Sequence, residues 1–221
     1  MPKRYGIKEK DLVVAHILDL LLTGRLRTGD RVDRNDVAAS LGLSRMPIQE
    51  ALGQLEHDGI LATTYHRGAF VQRFDADTLR EHHEVHGLLT GATSARAAAD
   101  RRPEILATLD GMLEQLRAAT DPPAYITTSE RYRGLIVETY AGPRLRAAIH
   151  SSRSLMPRTF WLHNPDFRTL LLPFAETENK AIHDGAPDRA RRVCMDRADL
   201  MADIVISDLQ RCGVFTEFRS S

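Results

Sequence analysis

The sequence predicts a mainly α protein in two parts: an N-terminal winged helix-turn-helix over residues 1–74 and an all-helical antiparallel bundle over 75–221. Three observations carry the prediction. Leu41 to Leu61 reads as turn, helix and stop. Leu61 to Phe74 carries a hairpin signal. From Asp75-Ala76-Asp77 to Gly213 the pattern stays helical and is punctuated by proline and glycine breaks.

Residues 1–7 read as a loose basic arm. Lys8 to Thr23 reads as a helix, with Val13, Ile17, Leu20 and Leu21 at helical spacing and Leu12 beside them; Gly24 ends it. Arg25 to Val32 is a turn-rich link with a short extended end, and Arg34–Ser40 a short helix. The tight turn Leu41-Gly42-Leu43-Ser44 leads into a second helix, with Ser44 as N-cap and Pro47 in the first turn, where a missing N–H costs nothing. Ile48, Leu52 and Leu55 face a core; Arg45, Met46, Gln49 and Gly53 lie on or near the other side. Gly59 stops this helix. Leu61–Thr64 and Ala69–Val71 read as two strands around Tyr65-His66-Arg67-Gly68, with Gly68 free to take a positive φ.

In the second part the spacing predicts helices near 77–100, 103–119, 124–141, 143–163, 166–184 and 187–212. The breaks are Arg102-Pro103, Asp121-Pro122-Pro123, Gly142-Pro143, Asn164-Pro165 and Gly185-Ala186-Pro187. Pro157 and Pro173 fall inside two of these helices and should kink or divide them. Bundles of this kind build ligand sites between facing helices.

With 43% hydrophobic and 27% charged residues the composition is that of a soluble globular protein. A net charge of zero argues against a generic polyanion binder, and its distribution is mildly uneven: residues 1–73 hold 11 Lys+Arg against 9 Asp+Glu. DNA affinity must then come from local placement and from doubling in a dimer. Charges break up the first thirty residues, which excludes a secretory signal, and no apolar run approaches the ~20 residues that span a membrane. Cys194 and Cys212 have neither metal nor redox spacing. A cytoplasmic protein with idle thiols is expected.

The run GRLRTGDRVDRNDVAASLGLSRMPIQEALGQLEHDGIL, followed by HRGAFV, resembles the N-terminal domain of the GntR family of bacterial transcription regulators over residues 8–73. A long helical part after it, and the segment from Ala181 to Ala190, are similar to the FadR-like subfamily with its FCD ligand-binding domain. The resemblance implies a regulator, not an enzyme. It implies a homodimeric repressor on palindromic double-stranded operator DNA, released or engaged by a small effector.

A helix-turn-helix lays the N-terminal residues of its second helix on base edges. Arg45 is there, able to take guanine O6 and N7 together; Gln49, where the family usually has a second arginine, prefers adenine. Ser44 and Met46 flank Arg45, and Met46 suits packing or a thymine methyl. Arg31 is a candidate phosphate contact, Arg34 and Asn35 could hold phosphate or reach a base, and His66, Arg67 and Gly68 tip the wing.

Many FCD domains hold a divalent metal through an Asp and a His four apart and two further His. The resemblance puts those positions at Ser129, Arg133, Ala175 and Arg197, a set unable to hold a cation. The family's metal is expected to be lost, with Arg133 and Arg197 gripping an anionic effector, a carboxylate or phosphate, directly. The competing reading is an internal ion pair with Glu176 or Glu178. His86, where relatives often carry arginine, would touch the effector, and Thr90 stands where they often carry Glu. Three alternatives stay open. His82 and His86, one turn apart, could share a relocated metal. The bundle could be an enzyme with a DNA tether, or the protein an architectural DNA binder with a filled bundle. Tyr132, Tyr140, Phe160 and Trp161 read as core aromatics.

Overall fold

A computed structural model describes residues 8–64, 67–153, 161 and 166–215. The expected arm 1–7, His66 at the wing tip, Pro157 and Phe160 lie outside the described residues. The chain forms two compact units. One runs to Leu79 and takes in the chain again from Ile204; the other is Arg80–Asp203.

The first unit opens with α1 (Glu9–Leu22), closed by Thr23 and by Gly24 at φ +70°. Its buried stripe is Val13, Val14, Ile17, Leu18 and Leu21. This corrects the expected phase: Leu12 and Leu20 are only half-buried. A stripe at i, i+1, i+4, i+5 and i+8 fits 3.6 residues per turn better than the expected set.

Strand β1 (Arg31–Val32) precedes α2 (Arg34–Leu41) and α3 (Arg45–His57), and β2 (Leu61–Thr64) and β3 (Gly68–Val71) close the wing. The sheet order is β1-β3-β2, antiparallel throughout, with Val32 opposite Ala69 and Leu61 opposite Val71. The short extended end is therefore a third strand. Asp33 caps α2, its Oδ1 accepting from the amides of Asn35 (2.8 Å) and Asp36 (3.3 Å). Gly42 turns the chain at φ +64°. Ile48, Leu52 and Leu55 are buried as expected, joined by Pro47 and Ala51. Ser44 occupies the N-cap position of α3, but its hydroxyl makes no capping hydrogen bond, which corrects the role expected of it. The tail rejoins this unit: Phe215 packs on Phe74 and Val214 closes on Gly24.

In the second part the helices are α4 (Ala76–Asp100), α5 (Pro103–Ala118), α6 (Pro122–Tyr140), α7 (Pro143–Ser151), α8 (Phe167–His183) and α9 (Pro187–Arg211). Four of them begin on proline, whose fixed φ and missing N–H suit the first turn. The expected helix over 143–163 ends early: α7 is capped by Ser152, whose hydroxyl donates back to the Ile149 carbonyl. Pro173 does not divide α8, which runs unbroken through it. Helices α4 and α9 pack closely because Gly87 and Gly91 carry no Cβ. A Cβ on Gly87 would lie 2.9 Å from Ala198 Cβ, and one on Gly91 3.0 Å from the Arg191 carbonyl. That approach brings the His86–Thr90 turn of α4 and the Arg197–Met201 turn of α9 to one cavity.

Candidate nucleic-acid interface and effector cavity

In the first unit α3 presents Arg45, Met46, Gln49 and Gly53 to solvent, with Met46 72% exposed. Met46 and Gln49 border a groove with Arg31, Arg34, Asn35, Arg45, Arg67 and Gly68, and Asp33, Thr63 and Thr64 are among its other lining residues. Eight of the ten residues expected to meet DNA thus share one groove; Ser44 is exposed beside it but does not line it, and His66 lies outside the described residues. Arg31, Arg34, Arg45 and Arg67 are all exposed.

Two local contacts hold this surface. The Arg31 side chain crosses Gly68, so that a Cβ there would meet its Nε at 3.0 Å; Gly68 also sits at φ +105°. Glu56 near the end of α3 accepts from the Thr63 amide (3.0 Å) and hydroxyl (2.9 Å), tying the wing to the helix. The Glu56–Thr63 tie carries no sequence signal, because it joins a helix end to a strand by tertiary packing alone.

In the second unit a cavity of about 140 Å³ lies among α4, α6, α7, α8 and α9. Each residue expected to touch an effector lines it: His86 on α4, Ser129 and Arg133 on α6, Arg197 on α9. Ala175, the remaining position, is buried on α8 away from the lining. Sequence reasoning missed most of the apolar wall, including Ile126, Phe167 and Leu171; Trp161, expected as core, stacks on Phe167 with ring centroids 4.8 Å apart.

Both readings of the arginines have a counterpart here, one for each residue. Arg133 donates to Glu178 Oε2 at 2.9 Å. Glu178 is 1% exposed and also accepts from the Ser94 hydroxyl (2.5 Å) and the Cys194 thiol (3.2 Å). Burial alone would raise the Glu178 pKa, yet Arg133 and these donors hold it below the ordinary carboxylate value. Burial likewise works against the Arg133 charge, and Glu178 together with Cys194, Tyr132 and Tyr125 more than offsets it, so its pKa is raised. The Cys194 thiol is pushed up to about 12 by burial and by Glu178, which keeps it protonated and inert.

Arg197 is different. It is 5% exposed, and its only acceptor among the described residues is the Met201 thioether at 3.2 Å. Its Nε and Nη2 have no hydrogen-bond partner among the described residues. Burial and the nearby Arg133 pull its pKa down to about 10, which leaves it charged near neutrality. Glu178 offsets part of its charge from nearby, and burying a guanidinium without a hydrogen-bonded anion is costly, on the order of several kcal/mol.

His86 meets the Ser152 hydroxyl through Nδ1 at 2.9 Å, and burial with surrounding arginines drives its pKa well below the ordinary histidine value. Burial and His83 bring His82 down to about 4. Both are neutral imidazoles near neutrality. Among the described residues no three His, Cys, Asp or Glu side chains group as metal ligands. No described helix is long and apolar enough to cross a membrane.

Residues 10–71 match the family model described as "Bacterial regulatory proteins, gntR family". An uncharacterized HTH-type transcriptional regulator of Mycobacterium tuberculosis is 55% identical over 211 residues, covering 96% of this chain and 86% of its own length. The Nta operon transcriptional regulator of Aminobacter aminovorans is 36% identical over 91 residues, 40% of this chain and 43% of that protein. Among solved structures, E. coli McbR/YncC superposes with a TM-score of 0.63 at 21% identity, over 91% of this chain and 99% of that one. Lar of Listeria monocytogenes gives 0.58 at 16% identity, over 94% and 99%. These structures share the fold.

Proposed function

The chain belongs to the GntR family of bacterial DNA-binding transcription regulators, and from that premise we propose a homodimeric, FadR-like repressor whose operator binding is controlled by a small anion held in the bundle without metal. The observation that carries the effector half is Arg197: buried, charged, facing a cavity, and lacking an anionic partner among the described residues. Relatives would use metal where this chain has Ser129, Arg133 and Arg197; here the guanidinium itself receives the carboxylate or phosphate.

On the DNA side, two copies of α3 would enter successive major grooves of a palindromic site. Arg45 would read guanine and Gln49 adenine, while Arg31, Arg34, Asn35 and Arg67 hold phosphates and groove edges, with Ser44, Met46, His66 and Gly68 alongside. The effector acts only through its different affinity for the DNA-competent and incompetent arrangements. Selection of random duplexes on the purified dimer tests the reader: a half-site with adenine at the Gln49 position, replaced by guanine preference in Gln49→Arg, is the expected result. A half-site identical for both proteins defeats it. Size-exclusion chromatography with light scattering tests the dimer.

A further inference from the structure

The arginines of the cavity are not equivalent, and counting the charges around it narrows the ligand. Arg133 is neutralised by Glu178 at 2.9 Å. At the rim, Arg153 faces Glu130 at 4.0 Å and Glu138 faces Arg146 at 3.0 Å. His86 contributes no charge near neutrality. Among the described residues this count leaves one positive charge; Arg197 keeps both Nε and Nη2 buried without a hydrogen-bond partner there, and Arg133 only its Nε. Ile126, Val137, Trp161, Phe167 and Leu171 make the apolar part of the wall, and Thr90, Ser129 and His150 belong to its polar part. At about 140 Å³ the space matches an engineered cavity of about 150 Å³ that takes a single benzene.

We infer that the cavity is built for a singly charged organic anion with a compact apolar body, a monocarboxylate no larger than one ring, and that Glu178 sets this preference by cancelling Arg133. The inference rests on the anion-controlled reading above and sharpens it. Glu178 does not line the cavity, so it acts on the ligand through the charge of Arg133. A doubly charged ligand would bring a second charge, stripped of hydration, to a cavity whose described residues leave one positive charge to meet it. A neutral isostere would leave Arg197 uncompensated.

The test uses three probes of nearly one shape on the full-length protein: benzoate, benzamide, and phenylphosphonate, which is doubly charged above about pH 8 as phosphate groups are. Calorimetric titration should give benzoate binding, phenylphosphonate at least about tenfold weaker, and benzamide weaker still. In Glu178→Gln, Arg133 is released and the order of the two anions reverses. The double variant Arg133→Met with Glu178→Gln removes both charges of the pair and restores the benzoate preference. Thermal melts report whether each variant folds, and the wild-type ranking stands without them. Two failures are distinguishable. If Arg197→Met leaves benzoate binding unchanged, or benzoate does not bind at all, the anion-site reading falls and this inference with it. If Arg197→Met abolishes benzoate binding but wild type takes phenylphosphonate equally well, the anion site stands and the charge count is overturned.

Discussion

The recognition groove and the bundle cavity both depend on arginine, and they use it in opposite ways. In the groove Arg31, Arg34, Arg45 and Arg67 are exposed. In the cavity Arg133 and Arg197 are buried, one spent on Glu178 and the other left over. Burial, not residue type, decides the role. An exposed guanidinium contributes little to folding and much to binding a polyanion. A buried one is tied to stability through its partner.

The sharpest way to break this contrast is Arg133→Met. It leaves Glu178 buried with the Ser94 hydroxyl and the Cys194 thiol but without its cation. Removing one member of a buried pair costs about 3–5 kcal/mol, and that loss should appear in denaturant unfolding followed by circular dichroism. A loss below about 1 kcal/mol would mean the pair is solvated and the contrast is false.

Acid should separate the two regions next. His82 titrates near 4 in the folded chain against about 6.5 when exposed, because burial and His83 disfavour its charge. The unfolded chain therefore takes up protons first. The stability this group contributes is fully present above about 6.5 and drains away as the pH falls towards 4. Roughly 3–3.5 kcal/mol is at stake, since each tenfold change in proton affinity between the folded and unfolded chain is worth about 1.4 kcal/mol. His86 moves in the same direction. Melting temperature should decline over that window in wild type and stay flatter in His82→Gln; a flat wild-type profile would contradict the burial of these imidazoles.

In the groove the corresponding change is Arg45→Ala. Specific operator affinity should fall by about 1–3 kcal/mol, with non-specific binding much less affected. Unfolding should stay within about 0.5 kcal/mol of wild type, as for any exposed site. Fluorescence anisotropy on matched and scrambled duplexes at one salt concentration reads the first, and a melt reads the second.

How much of this was legible in the sequence follows the same divide. Local signals were reliable: the turn at Gly42, the stop at Gly59, the prolines that open four bundle helices. They placed most of the groove, because its residues are close in sequence and periodicity separates the inward from the outward face. The cavity was half legible. Aligned positions brought His86, Ser129, Arg133 and Arg197 to it. Which arginine Glu178 would occupy could not be read, since the pair spans 45 residues and depends on how α6 meets α8. Phe167 and the Ser152 partner of His86 have no local signature either. The third strand escaped because two residues carry no alternation, and its pairing with β3 is settled across the fold.

The smallest effect probes a residue where one sequence signal covered two roles. Ser44 stands at the N-cap of α3, the position where serine usually accepts from a helix amide, yet its hydroxyl makes no such bond. Asp33 does cap α2, with two amides on Oδ1. Asp33→Ala should then cost about 1 kcal/mol of stability. Ser44→Ala should cost no more than a few tenths, because nothing folded is lost. On DNA the situation is different. The first amides of α3 and the Ser44 hydroxyl, free of a capping bond, stand where a phosphate would sit at a helix N-terminus. Ser44→Ala should weaken matched and scrambled duplexes alike, by up to about 1 kcal/mol, the mark of a backbone contact. A stability loss equal to that of Asp33→Ala would show instead that Ser44 caps its helix in solution. It would move Ser44 from the binding side of the contrast to the folding side.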